Sequence, residues 1–585
     1  MNRSILAVTV GSLLSYAPYS LAEQADETVV VTANRFEQKL DSSIVPIEVV
    51  TKEEIEATQS KNLLEVLRRL PGVQVSSNGG YGQSQSVFIR GAESDHVLFL
   101  IDGVRFGSAT SGTAAIASIP LAGVERIEYL RGARAALYGS DAIAGVINVI
   151  TANNRSESVL STTIGSDSYY QGQGFFSGNL TDALHASMSL NALNNEGFSA
   201  KNTVGDEDAD SYRSRDVAAT IKYQFSKQSS LMLNALVHEG NLEYDPQDST
   251  NEENFYNVAL RYNFKNEKYV TSLTASTNQD STFYPASNGT YQTDRKGVAW
   301  DNLYHISDSL SVGGGIDWYE DDVSKSSTLY DEVKRDNTAF YLSSFYNRGI
   351  LSVEGAVRSD DNERYGNQTT WQLGAGVDVL ENYRLSFNAG TGFKAPTFND
   401  LYFPGWGNPN LEPEESESYE IALDATYSLL DVRISAYMTN VDNMIVGSGS
   451  NASNVGKAEI RGIEIIGKFE TGPFTHQLSY DYNDPENKDT GKQLDRRAKD
   501  NVKWNIGYFV DDLILDLSYL YQGERTDGSE TLDAYSLVDF AVTYNVTADL
   551  VLKGRVANVF DENYTLATDY NTQERSYFAT VQYNF

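Results

Sequence analysis

The stretch VRISAYMT, residues 432–439, decides how the chain is to be read. Val432, Ile434, Ala436 and Met438 alternate with Arg433, Ser435, Tyr437 and Thr439, so an extended backbone would present one apolar face and one polar face. VDFAVTY (538–544) repeats the alternation with Val538, Phe540, Val542 and Tyr544, and LMLNALVH (231–238) does so with Leu231, Leu233, Ala235 and Val237. Segments of this kind recur from about residue 158 to the end, separated by turns rich in Asn, Asp and Gly. The last of them, SYFATVQYNF (576–585), places Tyr577, Ala579, Val581, Tyr583 and Phe585 on one side. A soluble β-sandwich also alternates, but it seldom sustains the pattern over more than ~400 residues and then finishes on an aromatic strand. The reading is a transmembrane β-barrel running from about residue 158 to the end.

Composition agrees. The chain has 585 residues with 37 Tyr, 45 Gly and no Cys. Tyrosine suits the two membrane interfaces, and the absence of cysteine leaves stability to hydrogen-bond ladders and packing. No later segment holds the uninterrupted apolar run that a spanning helix needs. A net charge of −35 argues against nucleic acid as a partner and suits acidic loops able to hold divalent cations.

The first 150 residues read differently. Residues 1–22 carry Arg3, the apolar run ILAVTVGSLL and a small-residue ending SLA, the pattern of a secretory signal too short to anchor in a bilayer. ETVVVTANRF (27–36) follows. Its β-branched run favours an extended strand, and no turn and returning strand follow closely enough to pair with it. A helix begins at TKEE with Thr51 as cap and Glu54 closing the capping box; Leu63, Leu64, Val66, Leu67 and Leu70 form its apolar face, and Pro71-Gly72 stops it. Short strands are expected in SVFIRG, HVLFLIDG, GVERIEYLRG and GVINVIT. The charges on and beside them, Arg90, Asp102, Glu125, Arg126, Glu128, Arg131 and Arg134, are easiest to place if this α/β domain sits inside a polar lumen.

A signal, a short extended box, a small α/β domain and a long barrel resemble the TonB-dependent outer-membrane receptors. The resemblance runs over the whole mature chain. LRRLPGV, IRG, LIDGVR, VERIEYLRG and LYGSDAIAGVINVIT carry it in the N-terminal domain; GFKAPTFNDLY, NPNLEPEESESYE and ANVFDENY carry it in the barrel. It implies a TonB box at 27–33 within a segment 23–40, a plug domain at 41–152, a barrel of about 22 antiparallel strands at 158–585, whose length of about 19 residues per strand and connection fits, and location in the outer membrane of a Gram-negative bacterium. It also implies a monomer in contact with outer-membrane lipid. Glu27, Thr28, Val29, Val30, Val31, Thr32 and Ala33 would add a strand to TonB, working with ExbB and ExbD, and that pairing would explain an isolated strand.

Within the family, ETVVVTANRFEQ, SNGGYGQSQSVFIRG and DTGKQLDRRAK are similar to the cobalamin (vitamin B12) receptors. Departures are RGA at Ala133 and Ala144-Gly145 in place of paired glycines, and neither threatens the fold. Matched residue by residue, the resemblance assigns cobalamin contacts to Ser84, Ser86, Glu93, Thr110, Ser111 and Arg496. Gly79, Gly80 and Gly82 also read simply as a tight turn; without a following Gly-Lys-Ser/Thr they are no phosphate loop.

One cluster has chemical content of its own. Asp206, Asp208 and Asp210 alternate in VGDEDADSY, and Tyr244, Asp245 and Asp248 in LEYDPQDS could complete oxygen coordination of Ca²⁺; the bland alternative is a solvated acidic loop. The resemblance implies calcium-ordered loops here, although an aspartate of the earlier loop is replaced by Ser199. Catalysis has no support: His96, His185, His238, His305 and His476 lack metal-ligand spacing, and there is no cysteine or serine nucleophile motif. The alternatives left are a receptor of the same architecture for a ferric siderophore or haem, and a passive porin or adhesin.

Overall fold

The computed structural model describes residues 30–31, 35–36, 38–39, 44–151, 155–201, 208–245, 249–448, 451–454 and 456–585. The signal segment 1–22, box residues Glu27, Thr28, Val29, Thr32 and Ala33, and the loop aspartates Asp206 and Asp248 lie outside the described residues.

Twenty-two antiparallel strands, from Glu157–Gly165 to Ser576–Asn584, form a closed barrel, and a two-residue strand, Lys492–Gln493, pairs with the end of Phe474–Asn487. Closure joins first strand to last, from Val159 opposite Asn584 to Gly165 opposite Phe578. A closed ladder leaves no strand edge unpaired, which is the condition for placing β-structure in hydrocarbon. The alternation read from the sequence sets the two faces. Leu233, Val237, Ile434, Tyr577, Val581 and Phe585 point outward and are exposed, while Leu236, His238, Ser435 and Asp216 are buried inside. Aromatic residues edge the outer apolar band: Tyr223, Tyr304, Tyr427, Phe474 and Tyr544 near one end, Tyr170, Tyr419, Tyr482 and Tyr577 near the other. The first end has only short turns, such as 182–183, 308–309 and 428–429; the second carries long loops, among them 395–413 and 558–575.

The N-terminal domain fills the lumen. Its five-stranded sheet has the order Ile47–Thr51, Arg126–Arg131, Gly145–Ile150, Val97–Ile101, Val104–Phe106, and only the contact between Val97–Ile101 and Gly145–Ile150 is parallel. The four expected strands are all present, Gln85–Ile89 pairing with Val73–Ser77 in a separate hairpin. Leu63, Leu67, Ile89, Ile127 and Ile147 are fully buried in the core, each worth about 1.5–3 kcal/mol of burial.

Two expectations are corrected. The single helix from Thr51 is two helices, Lys52–Thr58 and Leu63–Leu67. The capping box of Thr51 and Glu54 forms as expected, but Gln59 turns left-handed at φ 52° and ends the first helix, and the Asn62 side chain caps the second. Nor is the early strand without an internal partner: Val30 and Val31 pair antiparallel with Lys39 and Gln38. The chain between turns at Arg35, φ 66°, whose guanidinium is fixed to the barrel wall, so the returning segment is brought alongside.

Several of the charged plug residues meet the barrel wall. Arg90 pairs with Glu420 and, at 3.3 Å, with Glu464; Arg131 reaches Glu464 at 2.6 Å; Arg134 approaches Glu354 at 3.9 Å. Arg126 instead pairs within the plug, at 2.7 Å from Glu128, and Glu125 faces Arg155 just before the first barrel strand at 3.7 Å.

Candidate functional site

The loop-end face of the plug is built from three turns, 78–84, 91–96 and 107–113, each placed by a strand below it. In the first, Gly79 and Gly82 have φ of 126° and 77°, which glycine adopts without strain. Both also permit close approach: a Cβ on Gly79 would stand 2.7 Å from the Ala200 side chain, and one on Gly82 would overlap the Tyr212 ring. Gln83 donates from Nε2 to the Glu243 carbonyl at 2.9 Å. The first turn is therefore wedged beneath Ala200 and against the strands that begin at Tyr212 and end at Tyr244.

Two of the acidic residues, Asp210 and Asp245, meet at the same place. Asp210 accepts from the Ala200 amide at 2.6 Å and Asp245 from the Lys201 amide at 2.7 Å, so the two carboxylates lie on consecutive residues of one loop. Tyr244 packs edge-on against Tyr284, with ring centroids 6.2 Å apart, and Asp208 is exposed. Loop 558–575 is tied in as well, the Asn571 amide donating to the Ala200 carbonyl at 2.9 Å. Among the described residues there is no group of three His, Cys, Asp or Glu side chains arranged to hold a metal. The donors present are hard oxygens, the chemistry that suits calcium.

Ser84 is exposed and Ser86 half-buried on the hairpin edge. The hairpin is linked to the second turn where the Val87 amide donates to Ser94 Oγ at 3.1 Å. Glu93, on that second turn, is ion-paired with Arg497, whose guanidinium also lies 4.4 Å over the Phe88 ring. The neighbouring Arg496, the arginine singled out in the sequence, pairs with Asp527 at 2.8 Å and is half-buried. The structure thus brings Glu93 and the 492–499 segment together, and Arg497 makes the contact.

Thr110 and Ser111 belong to the third turn and differ in access. Ser111 is exposed, but Thr110 is 2% exposed. The short helix Phe398–Tyr402, in loop 395–413, lies over it: Phe398 and Asn399 amides donate to the Ala109 and Thr110 carbonyls, both at 3.1 Å. Ala109, Tyr330, Phe398, Leu401 and Ala452 form one apolar cluster there, so three barrel loops cover this turn.

Further anchors, which sequence patterns did not signal, hold the plug. His96, buried beneath the second turn, pairs with Glu414 of the barrel, and Asp95 pairs with Lys394 at 2.8 Å. Burial lowers the His96 pKa, but Glu414, with Asp95 beside it, more than offsets that and leaves it raised. At the N-terminal end Arg35 reaches Asp317 through two bonds of 2.7 and 2.6 Å and Asp301 at 3.0 Å. It is held between the Tyr138 and Tyr341 rings at 5.4 and 4.8 Å.

A filled lumen, a loop-end face assembled by plug and barrel, and an N-terminal strand leaving by a fixed arginine describe a gated transporter. Comparison with known proteins gives it a family. Residues 39–146 match the TonB-dependent receptor plug domain, and residues 150–559 match the TonB-dependent receptor-like β-barrel. The chain belongs to the TonB-dependent receptors. Among similar curated members of this family are proteins named vitamin B12 transporter BtuB, from Photobacterium profundum at 45% identity and Vibrio vulnificus at 36%, each alignment covering both chains fully. Solved receptors share the fold. The siderophore receptor PirA of Acinetobacter baumannii matches with a TM-score of 0.80 at 18% identity, covering 92% of this chain and 98% of its own. The ferric yersiniabactin receptor FyuA of Yersinia pestis matches at 0.79 and 16%, covering 93% and 98%. At such identities these structures speak for architecture alone. In a TonB-dependent receptor of the outer membrane the short turns face the periplasm and the long loops face outward, so the acidic loops and the three plug turns form the outer face.

Proposed function

We propose that this receptor takes up cobalamin across the outer membrane with high affinity, as a monomer energised through TonB with ExbB and ExbD. The observation that carries the reading is the similarity, over the full length of both chains, to proteins named as vitamin B12 transporters. The accessible groups at the outer face suit a large polar ligand: Ser84, Ser86 and Ser111 offer hydroxyls to amide side chains, and Glu93 and Arg496 add charged rims. Thr110 serves from below, by holding loop 395–413 in place.

The anchors explain why an external energy source is needed. Arg90, Arg131 and Arg134 face buried barrel carboxylates, and these ion pairs must all be broken together before the plug can move. Spontaneous opening of the lumen is correspondingly rare. A pull on the strand at Val30–Val31, added to a sheet edge of TonB, must first free Arg35 from Asp301 and Asp317 of the barrel wall and then passes along the chain to the plug.

Asp208, Asp210, Tyr244 and Asp245, with Asp206 and Asp248, would hold Ca²⁺. Bound there, the ion supplies positive charge that offsets repulsion between the acidic loops. Asp210 and Asp245 themselves hold the Ala200 and Lys201 amides beside the plug turn 78–84. The test of the ligand is titration of the purified protein with cyanocobalamin and with ferric enterobactin: saturable binding of the first alone is expected, and binding of the second alone would assign the receptor to siderophores.

A further inference from the structure

The outside of the barrel carries a groove that uptake does not use. It has a volume of about 620 Å³ and lies near the loop end, across the strands Glu157–Gly165, Tyr169–Thr181, Leu184–Asn195, Tyr212–Gln224 and Ser229–Tyr244. Strand register places Thr162, Gly172, Ala192, Arg215 and Glu239 in one row, with Tyr170, Asn194, Arg213 and Asn241 in the row nearer the loops. The floor is low because Gly172 has no side chain and nothing lies within 4 Å of where its Cβ would be.

Its positive charge is concentrated in two neighbouring side chains of one strand face. Arg213 and Arg215 are exposed and point outward, and neither has an ion-pair partner among the described residues, although Arg215 stands opposite Glu239. Three other outward cations near the loop end are neutralised locally, Lys334 by Asp322 at 3.0 Å, Lys457 by Asp442 at 2.8 Å, and Arg461 by Glu459, while Lys296, opposite Glu320, stands singly and exposed. Immediately towards the turn end, Leu160, Leu190, Val217 and Val237 form part of the exposed apolar band. Two unpaired guanidinium groups thus stand at the outer border of the hydrocarbon, above an apolar wall.

We propose that this groove binds a phosphorylated glycolipid of the outer leaflet. Arg213 and Arg215 hold its phosphate, the low floor at Gly172 and Ala192 admits the sugar, and the acyl chains lie along Leu190 and Val217. Guanidinium forks match phosphate oxygens in pairs, and the headgroup lies at the height where the arginines emerge from the apolar band. Glu239 opposes the anion, so its neutralisation strengthens binding. The inference rests on the outer-membrane placement and is independent of which ligand is transported.

Native mass spectrometry of the full-length receptor, delipidated in detergent, tests it with three probes: bis-phosphorylated lipid A, the same lipid without phosphates, and inorganic phosphate. Retention of the phosphorylated lipid is expected, weakened about five-fold by Arg213→Gln and about 30-fold by Arg213→Gln with Arg215→Gln. Glu239→Gln should strengthen it. Equal retention of the dephosphorylated lipid, displacement by inorganic phosphate, or no change in the variants would each overturn the proposal, as would a dimer of the receptor that these variants dissociate. If the double variant does not fold, Arg213→Gln and Glu239→Gln, which alter one outward side chain each, decide in opposite directions.

Discussion

Arg35→Gln should release the N-terminal segment from the barrel wall. In the structure the Arg35 side chain is 13% exposed, makes two bonds to Asp317 and one to Asp301, and lies between two tyrosine rings. Removing one partner of a buried ion pair costs about 3–5 kcal/mol. The lower value applies, because the carboxylates left behind keep partners: Asp317 still pairs with Arg358 at 2.5 Å, and Asp301 still accepts from the Tyr341 hydroxyl at 2.6 Å. A loss of about 3 kcal/mol raises the population of the released segment about 100-fold. Phe36, next in the chain and 7% exposed, reports it, since chymotrypsin cleaves after Phe only once the segment leaves its site. With low protease the cleavage rate follows the open population, so cutting at Phe36 should accelerate about 100-fold while cutting in the barrel loops stays unchanged. An unchanged rate at Phe36 would refute the view that Arg35 fastens this segment.

Val30→Pro should abolish uptake and leave binding at the cell surface intact, because proline removes a strand amide remote from the outer loops; equal loss of both in cells would remove the box from the coupling path. Asp208→Asn with Asp210→Asn should erase a calcium-dependent gain in cobalamin affinity, and by linkage cobalamin should tighten calcium binding to the same extent in the unmutated protein. Equal affinity in calcium and in chelator, measured by titration, would return these residues to a solvated loop. His96 links pH to the plug: its folded pKa is raised by Glu414 and Asp95, with Lys394 opposing. Its contribution is complete below the unfolded value of about 6.5 and is lost as pH rises through the folded value. The denaturant midpoint for release of the plug should therefore fall on going from acid to alkaline pH through that range, and His96→Gln should flatten the fall.

The barrel was legible because its strands obey a rule of period two that survives without any knowledge of neighbours. Val432, Ile434 and the aromatic terminal strand declare their faces locally, and closure then follows from the requirement that no edge be left in lipid. The capping box at Thr51 and Glu54 is equally local and formed as read. Where the sequence misled, the deciding interaction was short-range but outweighed by a longer pattern: Gln59 and Asn62 divide a helix whose leucines look continuous. The site was legible only in outline. Glu93 and the 492–499 segment do meet, but whether Arg496 or Arg497 closes the contact depends on a left-handed turn at Arg496, φ 64°, that no residue pattern announces. The partners of Arg35, Arg90 and His96 lie hundreds of residues away, and a charge in a strand carries no mark of the charge it will face. The covering of Thr110 by Phe398–Tyr402 is likewise a product of loops folding inward.

The most direct measurement is accumulation of radiolabelled cyanocobalamin by cells that lack a cobalamin receptor of their own and express this one, with and without functional TonB. Surface binding in both strains, and accumulation only where TonB is active, is the predicted result. Accumulation without TonB, or no binding of cobalamin by cells in which the barrel is properly inserted, would contradict it.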